Sequence, residues 1–190
     1  MKKQNRYAQG MARRLMLAGL SLSILMQGRA GLSAEGEEIR IPVVPYPQVV
    51  EPGKGYFSSG GPSLSIMISG LGEETSGIVL DQLSEAFEGF RGERPELSVG
   101  GKADIWIGLP ETDQALQALA AKKGLVPGQE LGNEGYLLKI EKRNIYVTAN
   151  SEAGAFYGVQ TLRQLLRGYA ATGHLNFDAL AAVARQPSIP

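Results

Sequence analysis

The sequence predicts an α+β domain in which a small mixed sheet packs against helices. Three observations carry this. Apolar residues alternate with period two over residues 64–68 and 136–141, run on both faces over 103–109, and resume in a strand-like stretch over 145–149. They recur at three- and four-residue spacing over 77–89, 113–123 and 152–167. Most of the 25 glycines and 10 prolines fall between these periodic stretches, where turns are needed. The order of elements is therefore strand, helix, strand, helix, hairpin, helix, a pattern that buries one sheet against amphipathic helices.

Residues 35–62 read as a tether entering a first strand. Ile39-Arg40-Ile41-Pro42-Val43-Val44-Pro45-Tyr46-Pro47 holds too many prolines for a central strand, because each removes a ladder donor. Val49-Val50 and Tyr56-Phe57 suit a loose hairpin or an edge. Leu64-Ser65-Ile66-Met67-Ile68 alternates as a strand and Gly70 closes it. The helix expected over Gly77–Gly89 carries Leu80, Leu83, Phe87 and Phe90 on one face. Thr75 or Ser76 is its candidate cap, and Gly89 and Gly92 help end it. Ala103-Asp104-Ile105-Trp106-Ile107-Gly108-Leu109 is apolar on both faces, as a central strand is, and Pro110 stops it. Over Asp113–Lys123, Thr112 or Asp113 caps a helix whose buried stripe is Ala115, Leu116, Leu119 and Ala120. Lys122-Lys123 complements the negative end of its dipole before Gly124.

Tyr136–Glu141 and Ile145–Ala149 form a hairpin around Lys142-Arg143-Asn144, with Tyr136, Leu138 and Ile140 on one side. A helix follows over Glu152–Arg167, capped by Asn150 or Ser151 and stopped by Gly168, with Phe156, Val159, Leu162, Leu165 and Leu166 aligned. Gly154 and Gly158 lie four apart on one face of it, where missing side chains let another backbone approach closely. A short helical patch begins near Ala179, and residues 186–190 read as the start of a linker.

Charge divides the chain. Lysines and arginines number 19, as do aspartates and glutamates, but the first 34 residues hold no acid and six bases: Lys2, Lys3, Arg6, Arg13, Arg14 and Arg29. Removing those six leaves 13 basic against 19 acidic residues, a formal −6. A surface of that sign is repelled by phosphate backbones, which excludes nucleic acid as a partner. The basic stretch ending at Arg13-Arg14, the apolar run Leu15–Met26 and the small residues after it read as a signal peptide over residues 1–34. Cleavage is expected after Ala34 or Ala30. The run falls short of the roughly 20 apolar residues of a stable membrane span. Arg13-Arg14-Leu15-Met16-Leu17 also has the outline of a twin-arginine signal, so the export route stays open. Export places residues 35–185 as one domain in the periplasm or outside the cell. The chain has no cysteine, so its core must suffice without disulfides or thiolate metal sites.

No catalytic, cofactor or metal site stands out. His174 is the one histidine, in a glycine-flanked loop, and no second imidazole or thiol could complete a metal site or triad with it. Gly100-Gly101-Lys102 lacks the helix of a phosphate loop and reads as a turn. Paired carboxylates suffice for glycoside hydrolysis. Glu73-Glu74, and Glu93 with Glu96 about Pro95, nevertheless read as solvated loop residues. Asp104, among hydrophobic neighbours, reads as a hydrogen-bond acceptor at a strand end. Trp106, Tyr136, Tyr146, Phe156 and Tyr157 could stack on sugars, though most lie at core-facing spacing.

The stretch Asn133-Glu134-Gly135-Tyr136-Leu137-Leu138-Lys139-Ile140, then Ile145–Ala149, then Ala153-Gly154-Ala155-Phe156-Tyr157-Gly158-Val159-Gln160-Thr161-Leu162-Arg163-Gln164-Leu165-Leu166 is the most specific in the chain. It resembles the non-catalytic domain before the catalytic barrel of family 20 glycoside hydrolases, the β-N-acetylhexosaminidases. Related domains occur in families 84, 67 and 89. Pro45-Tyr46-Pro47 and Asp104-Ile105-Trp106-Ile107-Gly108 match more loosely upstream. The resemblance implies a mostly antiparallel sheet with helices packed on one side, no cofactor, and a structural role against the barrel, in cis or as a separate chain. The family's catalytic Asp-Glu pair lies on the barrel, so no residue here inherits it. The faces that would meet the barrel should be apolar, and uncovered they would favour self-association. A different reading is a free-standing exported module that binds glycan or protein. A third is an enzyme using Asp104 or Glu73-Glu74.

Overall fold

A computed structural model describes residues 41–51, 56–58, 63–98 and 101–169. The elements run β1 (Ser65–Ser69), α1 (Glu73–Arg91), β2 (Glu96–Leu97), β3 (Ile105–Gly108), α2 (Gln114–Lys123), a 3₁₀ turn (Gln129–Leu131), β4 (Tyr136–Ile140), β5 (Ile145–Ala149) and α3 (Glu152–Tyr169). The expected signal peptide with Ala30 and Ala34, His174, the helical patch near Ala179 and residues 186–190 lie outside the described residues.

The five strands form one sheet in the order β2-β1-β3-β5-β4. Its register explains the alternation in the sequence. Ile66, Ile105, Ile145 and Ile140 stand opposite one another across four strands, followed one step along by Ile68, Ile107, Val147 and Leu138. All but Ile68 are buried, and all pack into one core with Val79, Leu83 and Phe87 of α1 and Ala155, Val159, Leu162, Leu165 and Leu166 of α3. The residues between them face the other way. Trp106, Leu137 and Tyr146 pack with Leu119 and Ala120 of α2 and with Leu125 and Leu131.

The α+β class and the mixed sheet are as expected, but two details implied by the resemblance are corrected among the described residues. Three of the four strand pairings are parallel, and only β4–β5 is antiparallel. The helices lie on both sides, α1 and α3 on one face and α2 on the other. The two have separate causes. α1 returns the chain to the starting end of β1, so β2 enters parallel to it. β4 enters antiparallel after α2, and the tight hairpin then turns β5 back to run parallel to β3. α1 and α2 leave neighbouring strands toward opposite faces, which covers both.

The helix ends differ instructively from expectation. α2 is capped by Asp113, which accepts from Leu116 N at 2.8 Å, and closes on Gly124 with left-handed φ of 69°. For α3, Ser151 Oγ accepts from Gly154 N at 3.2 Å, and the helix passes through Gly168 to Tyr169. α1 begins a turn before the expected Gly77, and neither Thr75 nor Ser76 caps it. Its N-cap, Gly72, has no side chain to offer. Glu152 of α3 accepts from Gly72 N at 2.9 Å and from the Thr75 hydroxyl, so the cap comes from 80 residues away. The edge strand β2 is two residues long. It rests on Glu96 N donating to Leu64 O at 2.8 Å and Ser98 N to Ile66 O at 2.7 Å.

A Cβ added at Gly154 would drive into the carbonyl oxygen of Gly135 and lie 3.0 Å from the Ala149 Cβ, whereas one at Gly77 would meet nothing within 4 Å. Gly154→Ala should therefore destabilise the domain by about 1–3 kcal/mol through overpacking. Gly77→Ala, on the open side of α1, should stabilise it by about 0.5–1 kcal/mol through helix propensity. Urea midpoints of the two variants moving in the same direction would refute this account of α3 packing.

Candidate functional site

The motif residues divide into an inward and an outward set. Gly154 and Gly158 mark where α3 lies directly on the hairpin segment, Gly154 against the Gly135 carbonyl and Gly158 against the Val147 and Tyr136 side chains. A Cβ on Gly158 would sit 2.5 Å from Val147 Cγ1 and 3.0 Å from the Tyr136 ring, and one on Gly135 would strike Leu131. Larger residues at 154 and 158 would lift the helix from the sheet, and one at 135 would displace the 3₁₀ turn. Held this close, the buried Tyr136 hydroxyl and Thr161 Oγ1 hydrogen-bond to each other. Burial pushes the Tyr136 phenol pKa up, the Thr161 bond opposing in part. It stays a neutral hydrogen-bonding group. Leu162 is fully buried beside it. These residues are architecture.

Tyr157 and Gln160 lie on the outer side of α3, and half-buried Phe156 beside them also packs against the edge of the core. Phe156 and Tyr157 meet edge to face, 6.0 Å apart at 66°. With Thr75, Ile78, Glu152 and Ala153 they line a shallow hollow of about 240 Å³. One turn along, Gln160 Nε2 donates to Gln82 Oε1 of α1 at 2.5 Å. Arg163 Nη1 donates to Gln160 Oε1 at 2.7 Å and Gln82 Oε1 at 3.2 Å, while its Nη2 lies 3.6 Å from Glu85. Periodicity along the chain carries no sign of this α1–α3 seam, since it depends on which helix faces meet.

The carboxylates considered for chemistry have structural partners or open surroundings. Asp104 Oδ2 accepts from Ser65 N at 3.0 Å and Ser65 Oγ at 2.8 Å, tying β3 to β1 as a strand-end acceptor. Glu73 and Glu74 are exposed in the first turn of α1, suited to the positive end of its dipole. Of the aromatic candidates, Tyr136 and Tyr146 are buried, and half-buried Trp106 donates to Ala103 O at 2.9 Å. They form no surface row with Phe156 and Tyr157. Open α/β sheets bind ligands where adjacent strands send their chains to opposite faces, here at the ends of β1 and β3. That crevice is filled. Ser69 Oγ donates to Asp113 Oδ2 at 2.5 Å, Thr112 Oγ1 donates to Leu109 O at 2.8 Å, and a Cβ on Gly70 would collide with Thr112. Among the described residues no cluster of His, Cys, Asp and Glu could hold a metal ion, and no helix is long and apolar enough to cross a membrane.

This fold, with its glycine-seated helix after a hairpin, has relatives. Residues 40–183 match the family model for glycosyl hydrolase family 20, domain 2. The chain belongs to that family. Solved structures similar to it include the Streptomyces plicatus N-acetyl-beta-hexosaminidase, at 27% identity over 66% of this chain and 20% of that one, TM-score 0.44. The Streptomyces coelicolor family 20 beta-N-acetylhexosaminidase is similar at 26% identity over 78% of this chain and 23% of that one, TM-score 0.46. CpGH84D shares the fold at 20% identity, covering 67% of this chain and 21% of that one, TM-score 0.53. No curated protein matches. The family 20 domain described here thus spans about a fifth of the length of these relatives.

Glu152 joins the architecture to the outer face. Its hydrogen bond from Thr75, then that from the Gly72 amide, hold its carboxyl below the usual carboxylate range, against a smaller desolvation effect. Asp113 is likewise lowered, by Ser69 first and then Leu116. A depressed folded pKa gives stability that is present above the unfolded-state pKa and lost as pH falls through the folded value. The melting temperature should therefore drop as pH is lowered from neutral through the carboxylate range. In Glu152→Gln that drop should be shallower, with the two proteins converging at the acid end. Parallel Tm–pH curves for the two proteins would contradict the cap.

Proposed function

We propose that this chain is the non-catalytic accessory domain of an exported N-acetyl-β-hexosaminidase and supports the catalytic barrel without touching the reacting sugar. The observation that carries the reading is the family 20 domain 2 match over residues 40–183, on a fold in which Asp104, Asp113 and Glu152 are committed to a strand end and helix caps. Export rests on the acid-free, arginine-bearing first 34 residues, with cleavage after Ala34 or Ala30 and residence in the periplasm or outside the cell. The glycan-binding alternative loses ground because Tyr136 and Tyr146 are buried and the remaining candidate rings form no surface row. Use of Asp104 as a catalyst loses ground because Ser65 holds the carboxylate.

The purified chain should show no turnover of an aryl N-acetyl-β-glucosaminide. The coding sequence beyond codon 190, or a neighbouring reading frame, should carry a barrel with an adjacent Asp-Glu pair. Turnover by the chain alone that Asp104→Asn abolishes would overturn the proposal.

A further inference from the structure

We infer that the end of the domain formed by the β4–β5 turn, the start of β3 and the close of α2 is a basic surface that rests on anionic lipid headgroups. The inference takes its occupant from the export reading and is independent of any barrel. Ten lysines and arginines lie among the described residues, and six of them, Lys102, Lys122, Lys123, Lys139, Lys142 and Arg143, gather here. The fold holds them together. Lys139 Nζ donates to Lys123 O at 3.1 Å, and the two ammonium groups share one carboxylate, Glu141, at 3.5 and 2.5 Å. Lys142 and Arg143 follow that glutamate in the turn. Asn144 Nδ2, next to Arg143, donates to Ala103 O at 2.9 Å, which brings Lys102 alongside. The acids at this end are Glu96, Asp104 and Glu141, three against six, and Lys102, Lys122, Lys142 and Arg143 are exposed.

The acidic balance of residues 35–190 does not cancel this surface. Glu73, Glu74, Asp81, Glu85 and Glu88 lie on α1, on the far face of the sheet. At physiological salt the Debye length is about 8 Å, so charges a layer of structure away are largely screened. Cations spread over a turn, a helix end and a strand start suit a surface of distributed charge rather than one small anion. The route of the chain names that surface. Gly154 lies at Gly135 and Gly158 at Val147, so α3 runs toward the β4–β5 turn. Residues 42–44 lie along its last turns, Pro42 at Gly168 and Val44 at Gln164, and Ser58 N donates to Lys142 O at 2.7 Å. The chain thus enters the domain at its basic end. Fourteen residues, 27–40, separate Ile41 from the apolar run Leu15–Met26, a reach of about 50 Å at most. That run, entering a bilayer before cleavage, would tether the domain by this end, where each lysine or arginine adds attraction to an anionic leaflet.

Trp106 is the chain's one tryptophan, and its Nε1 donates at 2.9 Å to Ala103 O, the carbonyl that Asn144 also binds. Its emission therefore reports on this end alone. The test titrates the full chain with vesicles of phosphatidylcholine, or of phosphatidylcholine and phosphatidylglycerol in equal parts, each carrying a headgroup spin label that quenches nearby rings. The phosphatidylglycerol vesicles should quench Trp106 at about tenfold less lipid than the neutral ones. Salt at about 1 M, where the Debye length is about 3 Å, should remove the difference. Lys102→Gln, Lys122→Gln, Lys142→Gln and Arg143→Gln together should raise the lipid required by about tenfold or more. The urea midpoint should stay near wild type, since all four side chains are exposed. Lys142→Gln with Arg143→Gln alone should give a smaller shift in the same direction. Equal titrations for wild type and both variants, or quenching indifferent to salt, would overturn the surface. Binding of soluble polygalacturonate through the same four cations, with no preference for the anionic vesicles, would overturn its occupant. The export reading is checked apart, by N-terminal sequencing of the chain from its own cells. A start at Gly31 or Glu35 is expected, and a start at Met1 would overturn that reading whatever the vesicles show.

Discussion

The structure depends on the contact in which α3 lies on the β4–β5 hairpin with no side chain of its own between them at Gly154 and Gly158. An approach that close brings Val159, Leu162, Leu165 and Leu166 down onto the isoleucine rows of the sheet, where all four are fully buried. Burying a leucine or isoleucine contributes about 1.5–3 kcal/mol. A helix lifted even slightly at the two glycines would loosen every one of these contacts at once, because interiors are packed to crystal-like density.

The other elements attach to that helix. α1 packs against α3 through Leu83 and Phe87 and takes its N-terminal cap from Glu152. The segment at residues 41–44 is held by Gln164, with Pro42 against Gly168. α3 is thus a spine whose inner side fixes the sheet and whose outer side stays on the surface. This division accounts for a motif that combines small residues, which let backbones meet, with Tyr157 and Gln160, which face outward. Among the described residues this leaves a firmly held outer face on α3.

Local pattern made much of the fold legible. The hairpin, α2 with its Asp113 and Gly124 caps, and the burial of Leu138, Ile140, Ile105 and Ile107 all follow from periodicity and turn chemistry within a few residues. The glycine spacing at 154 and 158 also announced a close approach. What escaped depends on contacts distant in sequence. β2 is a strand only because Leu64 and Ile66 offer it carbonyls, and α1 starts at Glu73 only because Glu152 caps it. Parallel pairing, too, is a property of how the connections route the chain rather than of any strand's own residues. The outward face was legible only in part. The sequence marked Tyr157 and Gln160, but not Ile78, Gln82 or the seam that joins them.

Native-state hydrogen exchange tests the central claim most directly. If the glycine-seated contact holds the domain together, amides of β3, β5 and the middle of α3 should exchange only by global unfolding, with one shared free energy, while β2 and the ends of α2 open locally. Exchange of the α3 amides at a lower free energy than those of α2 would show that the helix is an appendage, and would contradict the account.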